Sequence, residues 1–532
     1  MSIAKSTDTD WFDRASDWCN PILVKEVRQS LKSRAFVTTF FLLLLGSWMI
    51  SAIGLLAAGP AVEYGRVGQY FFLFYFGALC VALGAVVPYN AFRSLLNERD
   101  DNTFELLSIT SLSPGQIVRG KWTCAFVQAL LFYSAIIPFI AFSSLLQGFN
   151  VVQALLLLIA ALYGSVGLSI TTLMLSTTVK QKTWQGLVSM LVMGGLGGAI
   201  AMTISGLSSL MVFQLPLDVP VFWWAVGVGV LISLSYMWLF YQIAAARLTF
   251  ESENRSSGIR LTAGGQLILV WLIAAALVEV AGFPLNPEFL LAIIIASGAH
   301  LAVVGISASP ELDGLSRRAS RGLPKSALLR SLISPLLPGG ALGYLYLLIN
   351  LGILLLFSAY GWGWALSDPG DQPLSRVVAE LSSAQNQDWE HLEENVIPLF
   401  ALAMCCYIAI YCGLAACLVR WGRRITLAFE PVHARTMIVI LVATGMIIPM
   451  SLRVGRYVQF GETAVLDVLF PFWFLMEIMS QSALPWQFVI VLVATIVVVG
   501  LNLGAMGRAI GQAISPPQPS ASRPQPSSRP ES

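Results

Sequence analysis

Stretches of about 20 apolar residues, the length a helix needs to cross the hydrocarbon of a bilayer, recur from one end of the chain to the other. In the first half they fall near residues 36–58, 68–90, 122–146, 151–178, 184–204 and 221–246, and none contains Asp, Glu, Lys or Arg. The second half adds 264–283, 288–307, 341–366, 395–418, 436–452 and 484–505. This pattern predicts an all-α, polytopic integral membrane protein with about 12 transmembrane helices. The semi-polar segment Ser205 to Pro220 and the apolar stretch Val465 to Met479 are candidate re-entrant pieces. Non-helical backbone is tolerated at membrane depth only where protein covers it.

The polar connections divide the chain into four regions: residues 1–35, a six-span domain over 36–260 with a loop at 91–121, a second six-span region over 261–515, and a Pro/Ser-rich, disordered tail over 516–532. Residues 1–19 lack the apolar core and cleavage site of a signal peptide, so nothing is expected to be removed. Asn20 is placed to cap, and Pro21 to open, a helix in which Leu23, Val27, Leu31 and Ala35 recur every four positions. Lys25, Arg28, Lys32 and Arg34 occupy its other faces, which reads as an interfacial helix at the headgroups; the alternative is a solvated lead-in to the first span. The polar passage Leu96 to Lys121 has apolar positions of its own. Thr103 with Phe104, Glu105, Leu106 and Leu107 predicts one short helix there, and Ser113-Pro114 predicts a second before Gly120.

Composition agrees with the spans. With 56% hydrophobic and 11% charged residues and a mean hydropathy of +0.75, the chain is too apolar for a water-soluble protein. Its net charge of +2 is too small to imply a nucleic-acid partner. The distribution of charge says more than its sum. With twelve spans and the N-terminus inside, 27 of the 31 Lys and Arg fall on the cytosolic side, leaving only Arg66, Arg376, Arg453 and Arg456 outside. The positive-inside rule therefore predicts cytoplasmic N- and C-termini. The outer loop Ser367 to Glu394 is acidic.

Glu98-Arg99, Thr103, Glu105-Leu106-Leu107, Thr110, Leu112-Ser113-Pro114, Ile117-Val118 and Gly120-Lys121 follow the second span in order. Asn20-Pro21 with Lys25-Glu26-Val27-Arg28 precedes the first. On these residues the chain resembles the ABC-2-type permeases, the membrane subunits of ATP-binding cassette transporters, with a similar span layout over roughly residues 20 to 260. Asn102 stands where that family more often has Gly. The resemblance implies export of a substrate across a bacterial inner membrane, driven by a separate ATPase subunit that docks on the Glu98 to Lys121 helices. Glu98, Arg99 and Glu105 would make the polar contacts and Phe104 and Leu107 would fill a groove in the partner, with Thr103, Pro114, Gly120 and Lys121 completing the motif. The alternative is that these residues seat the loop on their own chain. ATP and magnesium would sit in the partner, with no cofactor in this chain. The family is dimeric by habit, so the second half either replaces a second permease chain or serves as an accessory bundle.

Other chemistry is weaker. Gly115 to Trp122 nearly spells a phosphate loop, but Trp122 replaces the magnesium-holding hydroxyl and no buried strand precedes it, so Lys121 more simply marks the end of the third span. A gradient-driven carrier would keep acids or histidines within the membrane, where the deep candidates are His300, readable also as a packing histidine, and Glu279. A membrane enzyme acting on lipid-linked substrates would need clustered carboxylates or a metal site. The acidic loop 367–394 reads more simply as a solvated cap, and three histidines, at 300, 391 and 433, are too few for a histidine-rich metal centre. The cysteines lack metal spacing and read as apolar packing residues. The loop 308–340 stands where a degenerate repeat would place the counterpart of 98–121, although the Glu-Leu-Leu pattern is absent there.

Overall fold

The computed structural model describes residues 21–60, 62, 65–100, 113–146, 148, 150–178, 182–212, 215–250, 253–366, 396–454, 468–480 and 483–515. Residues 1–20, the centre of the loop at 101–112, the acidic loop 367–394 and the tail from 516 lie outside them. Among the described residues the regular elements are all helical, and twelve helices are long and apolar enough to cross a membrane. The protein is thus an all-α, multi-pass integral membrane protein. The spans are, in order, Arg34–Ala58, Val67–Glu98, Pro114–Ser144, Val151–Thr178, Gln185–Gly206 and Pro220–Leu248, then Ser257–Glu279, Pro287–Ala308, Gly340–Trp364, Val396–Ile425, Pro431–Ile448 and Pro485–Ile514. They fall into two compact units, Met1–Thr249 and Phe250–Ser532. The division comes ahead of the polar strip at 253–256.

In the first unit the helix Pro21–Leu31 stops at Lys32, and Ser33 caps the first span by accepting the Phe36 amide at 3.2 Å. The expected periodicity continued to Ala35; the structure breaks it at Ser33, where the cap interrupts the helix. Ser113 forms a reciprocal capping box with Gln116, and Pro114 takes the first helical position. The short helix expected to end before Gly120 is instead the start of the third span, which runs unbroken to Ser144. One Gly inside a helix costs only about 1 kcal/mol relative to Ala, too little to end it. The core is aromatic: Phe36, Phe71, Phe72, Tyr75, Phe76 and Phe132 are buried together.

Pro88 lies inside the second span, where it has no amide to give the carbonyl of Gly84 and its ring crowds that carbonyl. The helix answers by widening. Residues Ala82–Val86 form a π-helical turn in which the Val87 amide reaches back to the Ala82 carbonyl. The fourth span holds this distortion: Ser165 Oγ donates to the Leu83 carbonyl at 2.7 Å and Thr172 Oγ1 to the Pro88 carbonyl at 2.8 Å.

The second unit is centred on the tenth span, buried from Ile397 to Val419 and bearing Cys405, Cys406 and Cys412 as packing residues. Of the two candidate re-entrant pieces, the first half of Ser205 to Pro220 is the continuation of the fifth helix to Val212. Within the other, Pro471–Met479 is a nine-residue helix packed on the tenth and eleventh spans, too short to cross a bilayer.

The order of packing repeats. The first span packs on the second and third, the second on the third and fourth, the third on the fourth and sixth, and the fourth on the sixth. In the other unit the seventh packs on the eighth and ninth, the eighth on the ninth and tenth, the ninth on the tenth and twelfth, and the tenth on the twelfth. The units part company at their fifth members: the fifth span packs on the second, whereas the eleventh packs on the tenth.

Candidate functional site

Three segments remote in sequence meet at one end of the first unit. Lys121, in the second turn of the third span, is 2% exposed in its side chain. Its Nζ donates to Glu26 Oε1 at 2.8 Å and lies 3.1 Å from Glu98 Oε2, with the Ser94 carbonyl at 3.5 Å. The two carboxylates are nearly as enclosed, at 11% and 12% exposure. Lys25 approaches Glu98 from the rim, 3.8 Å away and 56% exposed. Two carboxylates thus face two ammonium groups, and the cluster is neutral as a whole. Neutrality matters because a buried charge left without its partner is costly, roughly 3–5 kcal/mol.

Neutral hydrogen bonds extend the contact. Gln128, two helical turns beyond Lys121, donates to Ser30 Oγ at 2.9 Å, and Asn90 donates to Gln128 at 3.5 Å. The Trp122 indole donates to the Val166 carbonyl at 2.9 Å, and the Tyr241 hydroxyl to the Gly115 carbonyl at 3.2 Å. The first two turns of the third span are therefore tied to the N-terminal helix and to the second, fourth and sixth spans. Gly115 to Trp122, which nearly spells a phosphate loop, is helical, and from Gln116 onward its amides are taken by the cap and the helix.

The expected motif residues are distributed as follows in space. Glu98 and Lys121 are brought together; Pro114 opens the third span and Gly120 is buried within it. Arg99 belongs to the helix Val87–Asp100, though its side chain is outside the described residues, as are Thr103, Phe104, Glu105 and Leu107. Asn20 lies outside them also, and Pro21 begins its helix. Val27 is half-buried, whereas Arg28 and Leu31 are exposed. The helix thus presents Glu26 and Ser30 to the third span. Glu26 stands in the motif ahead of the first span, but sequence reasoning gave it no role. The signal available was a lone carboxylate in an otherwise basic helix.

The second unit has a buried cation too, carried by the first of its spans instead of the third. Arg260, in the first turn of the seventh span, is 2% exposed. It donates to Glu311 Oε2 at 2.8 Å, to the Pro335 and Gly339 carbonyls at 3.0 Å each, and to the Leu337 carbonyl. Glu311 also accepts from Ser256 Oγ and the Gly339 amide, and the Tyr346 hydroxyl donates to the Arg260 carbonyl at 2.7 Å.

Of the ionisable groups singled out within spans, His300 pairs through Nε2 with the Ala263 carbonyl at 3.1 Å, and Glu279 is exposed at the end of its helix. A carboxylate not singled out, Glu477, is 7% exposed and accepts from the Gln487 amide at 2.8 Å. Among the described residues no group of three or more His, Cys, Asp and Glu could hold a metal. No protein-family model, curated protein or solved structure matches this chain.

Proposed function

We propose that this chain is the permease of an ABC-2-type transporter, a multi-pass subunit of a bacterial inner membrane that exports substrate with energy from a separate ATPase. The ATPase docks on the segment between Glu98 and Lys121 on the cytosolic side, holds the ATP and magnesium, and moves the spans as it closes. The chain itself is not an enzyme.

One observation supports this reading above the others. Both ends of the proposed docking segment are ion-paired to each other and, through Lys121, to Glu26 of the N-terminal helix. A push on the segment therefore reaches the N-terminal helix and the second and third spans together, which is what a coupling element must do. A slack surface loop would transmit nothing.

The test is co-purification of the full chain from its native membrane, followed by a search for a bound nucleotide-binding protein. Glu105→Ala combined with Phe104→Ala is expected to release that ATPase or make its turnover indifferent to substrate, with membrane insertion unchanged. Truncating one partner of a bonded polar pair across such a contact costs roughly 2–5 kcal/mol. Gly120→Pro is expected to act similarly, because it removes an amide and fixes φ inside the helix. A gradient-driven carrier gives the opposite pattern, with transport abolished by an uncoupler and by His300→Ala while the loop substitutions stay silent. If the purified protein binds no ATPase and ignores the loop substitutions, the reading fails.

A further inference from the structure

A cleft of about 340 Å³ opens in the first unit beside the π-helical turn of the second span. Its walls are the second, fourth and fifth spans. The fifth packs on the second and makes no comparable contact with the fourth, so the space between the fourth and fifth stays open. Small residues keep it so, among them Gly84, Ala161, Gly164 and Ala199. A Cβ placed on Gly164 would meet nothing within 4 Å.

The lining has almost no polarity left to offer. Its two hydroxyls are already committed, Ser165 to the Leu83 carbonyl at 2.7 Å and Thr203 to the Ala199 carbonyl at 2.8 Å. What remains is hydrocarbon and the Cys80 thiol. The mouth lies within the apolar length of the fifth span, where Met202 is 80% exposed, and Ile159 on the fourth span is 65% exposed. The cleft is therefore continuous with the surface that meets the bilayer. The volume is at the lower end of the roughly 300–1,000 Å³ typical of small-molecule pockets. Apolar voids of this kind stay dry.

We propose that this cleft is a binding site for a hydrocarbon chain, entered sideways from the bilayer by the acyl tail of a phospholipid. The π-helical turn of the second span forms one wall of the space, and the hydroxyls of Ser165 and Thr172 hold that turn in place, so the wall is a built feature of the fold. π-turns within helices recur at functional sites. The proposal needs no ATPase partner, and its success or failure is independent of the transport reading.

The experiment uses the purified full chain in phosphatidylcholine–phosphatidylglycerol nanodiscs containing a trace of phospholipid with a diazirine near the end of one acyl chain. After illumination, adducts are mapped by mass spectrometry. They are expected to concentrate at residues 157–168 and 199–206, above the level at Leu56 and Ile496, which are equally open to lipid. Gly164→Leu fills the cleft. A leucine there displaces at least two methylene groups of the occupant, weakening its hold about 15-fold, and cleft adducts should fall accordingly while those at Leu56 and Ile496 remain. Ala160→Leu, at an exposed position of the lining, serves if Gly164→Leu does not fold. Adducts no denser in the cleft than at Leu56 and Ile496, or undiminished in a folded filled variant, would overturn the proposal.

Discussion

Replacing Lys121 by Met keeps the length and apolar stem of the side chain and removes only its ammonium group. The Glu26 and Glu98 carboxylates, each bonded to that nitrogen and each about a tenth exposed, are then left facing one another. Two such charges about 6 Å apart repel by about 3 kcal/mol at an effective dielectric constant of about 20. That agrees with the roughly 3–5 kcal/mol generally lost when one partner of a buried pair is deleted. Lys25, 3.8 Å from Glu98 and more than half exposed, can swing inward and recover up to about 1 kcal/mol. The expected net loss is about 2–4 kcal/mol. For a unit of this size each kcal/mol is worth roughly 2–4 °C, so unfolding in detergent, followed by light scattering or thiol-reactive dye, should begin some 5–15 °C lower (the product of those ranges). The triple variant Glu26→Gln, Glu98→Gln, Lys121→Met removes every buried charge from the cluster, and neutral replacement of a whole buried pair is often without net cost. It should recover at least half of the lost stability. Unchanged unfolding of Lys121→Met, or a triple variant no better than the single one, would refute the electrostatic account.

Other outcomes can be stated more briefly. A Cys introduced at Ser320 should label only from the cytosol and one at Ser383 from outside, as the cation asymmetry requires; labelling of Ser320 in intact cells would reverse the orientation. Arg260→Met should destabilise the second unit by roughly 3–5 kcal/mol, since it strands Glu311 and three carbonyls. Glu311→Gln leaves the Arg260 cation, 2% exposed, with three carbonyls but no counter-charge, so it too should cost roughly 3–5 kcal/mol; unchanged melting of either variant would contradict the assignment. Gly343→Ala would put a Cβ 2.3 Å from the Ala308 carbonyl oxygen, so a loss of roughly 1–3 kcal/mol is expected. Gly352→Ala, whose Cβ would meet nothing within 4 Å, should be neutral or stabilising; identical melting of these two alanine variants would show that the close approach is not real.

The spans were readable from sequence because a run of about 20 uncharged residues is a one-dimensional property that a bilayer acts on directly. The Ser113-Pro114 start was readable too, since a cap is chosen by residues within three positions of it. That the helix opened there runs on past Gly120 into the third span was not, because Gly120 weakens a helix without ending it and packing on the N-terminal helix and the neighbouring spans outweighs the loss. The ion cluster was half visible. All three stood in the quoted motifs, but Glu26 finds its partner 95 residues away, and nothing within the N-terminal helix points to that pairing. Arg260 was missed for the same reason. Counted among the cations of a cytosolic strip, it is buried by carbonyls 75 to 79 residues downstream. The shared order of packing could not be read either, because apolar helix faces carry little code for their neighbours; only the similar number of spans hinted at it.

The two buried cations do the same task by different means, and the difference bears on how each unit can move. Each joins the region before or at the start of its unit's first span to the exit of the second, near the entry to the third. In the first unit the tie is a compact ammonium held by two carboxylates, with one neutral acceptor at 3.5 Å. An ammonium has no fixed fork and can rotate between acceptors as helices shift, so such a contact can slide while remaining paired. In the second unit a planar guanidinium spreads its donors over one carboxylate and three backbone carbonyls from Pro335 to Gly339. Those acceptors are fixed by the chain, and Gly340 and Gly343 bring the ninth span so close to residues 308–311 that a Cβ would lie within 2.4 Å of a carbonyl oxygen. Shifting that junction would break several bonds to a buried cation at once. The first unit thus has a tie that tolerates displacement and the second a tie that resists it, which gives a reason, beyond the motif alone, to look for coupling at Lys121.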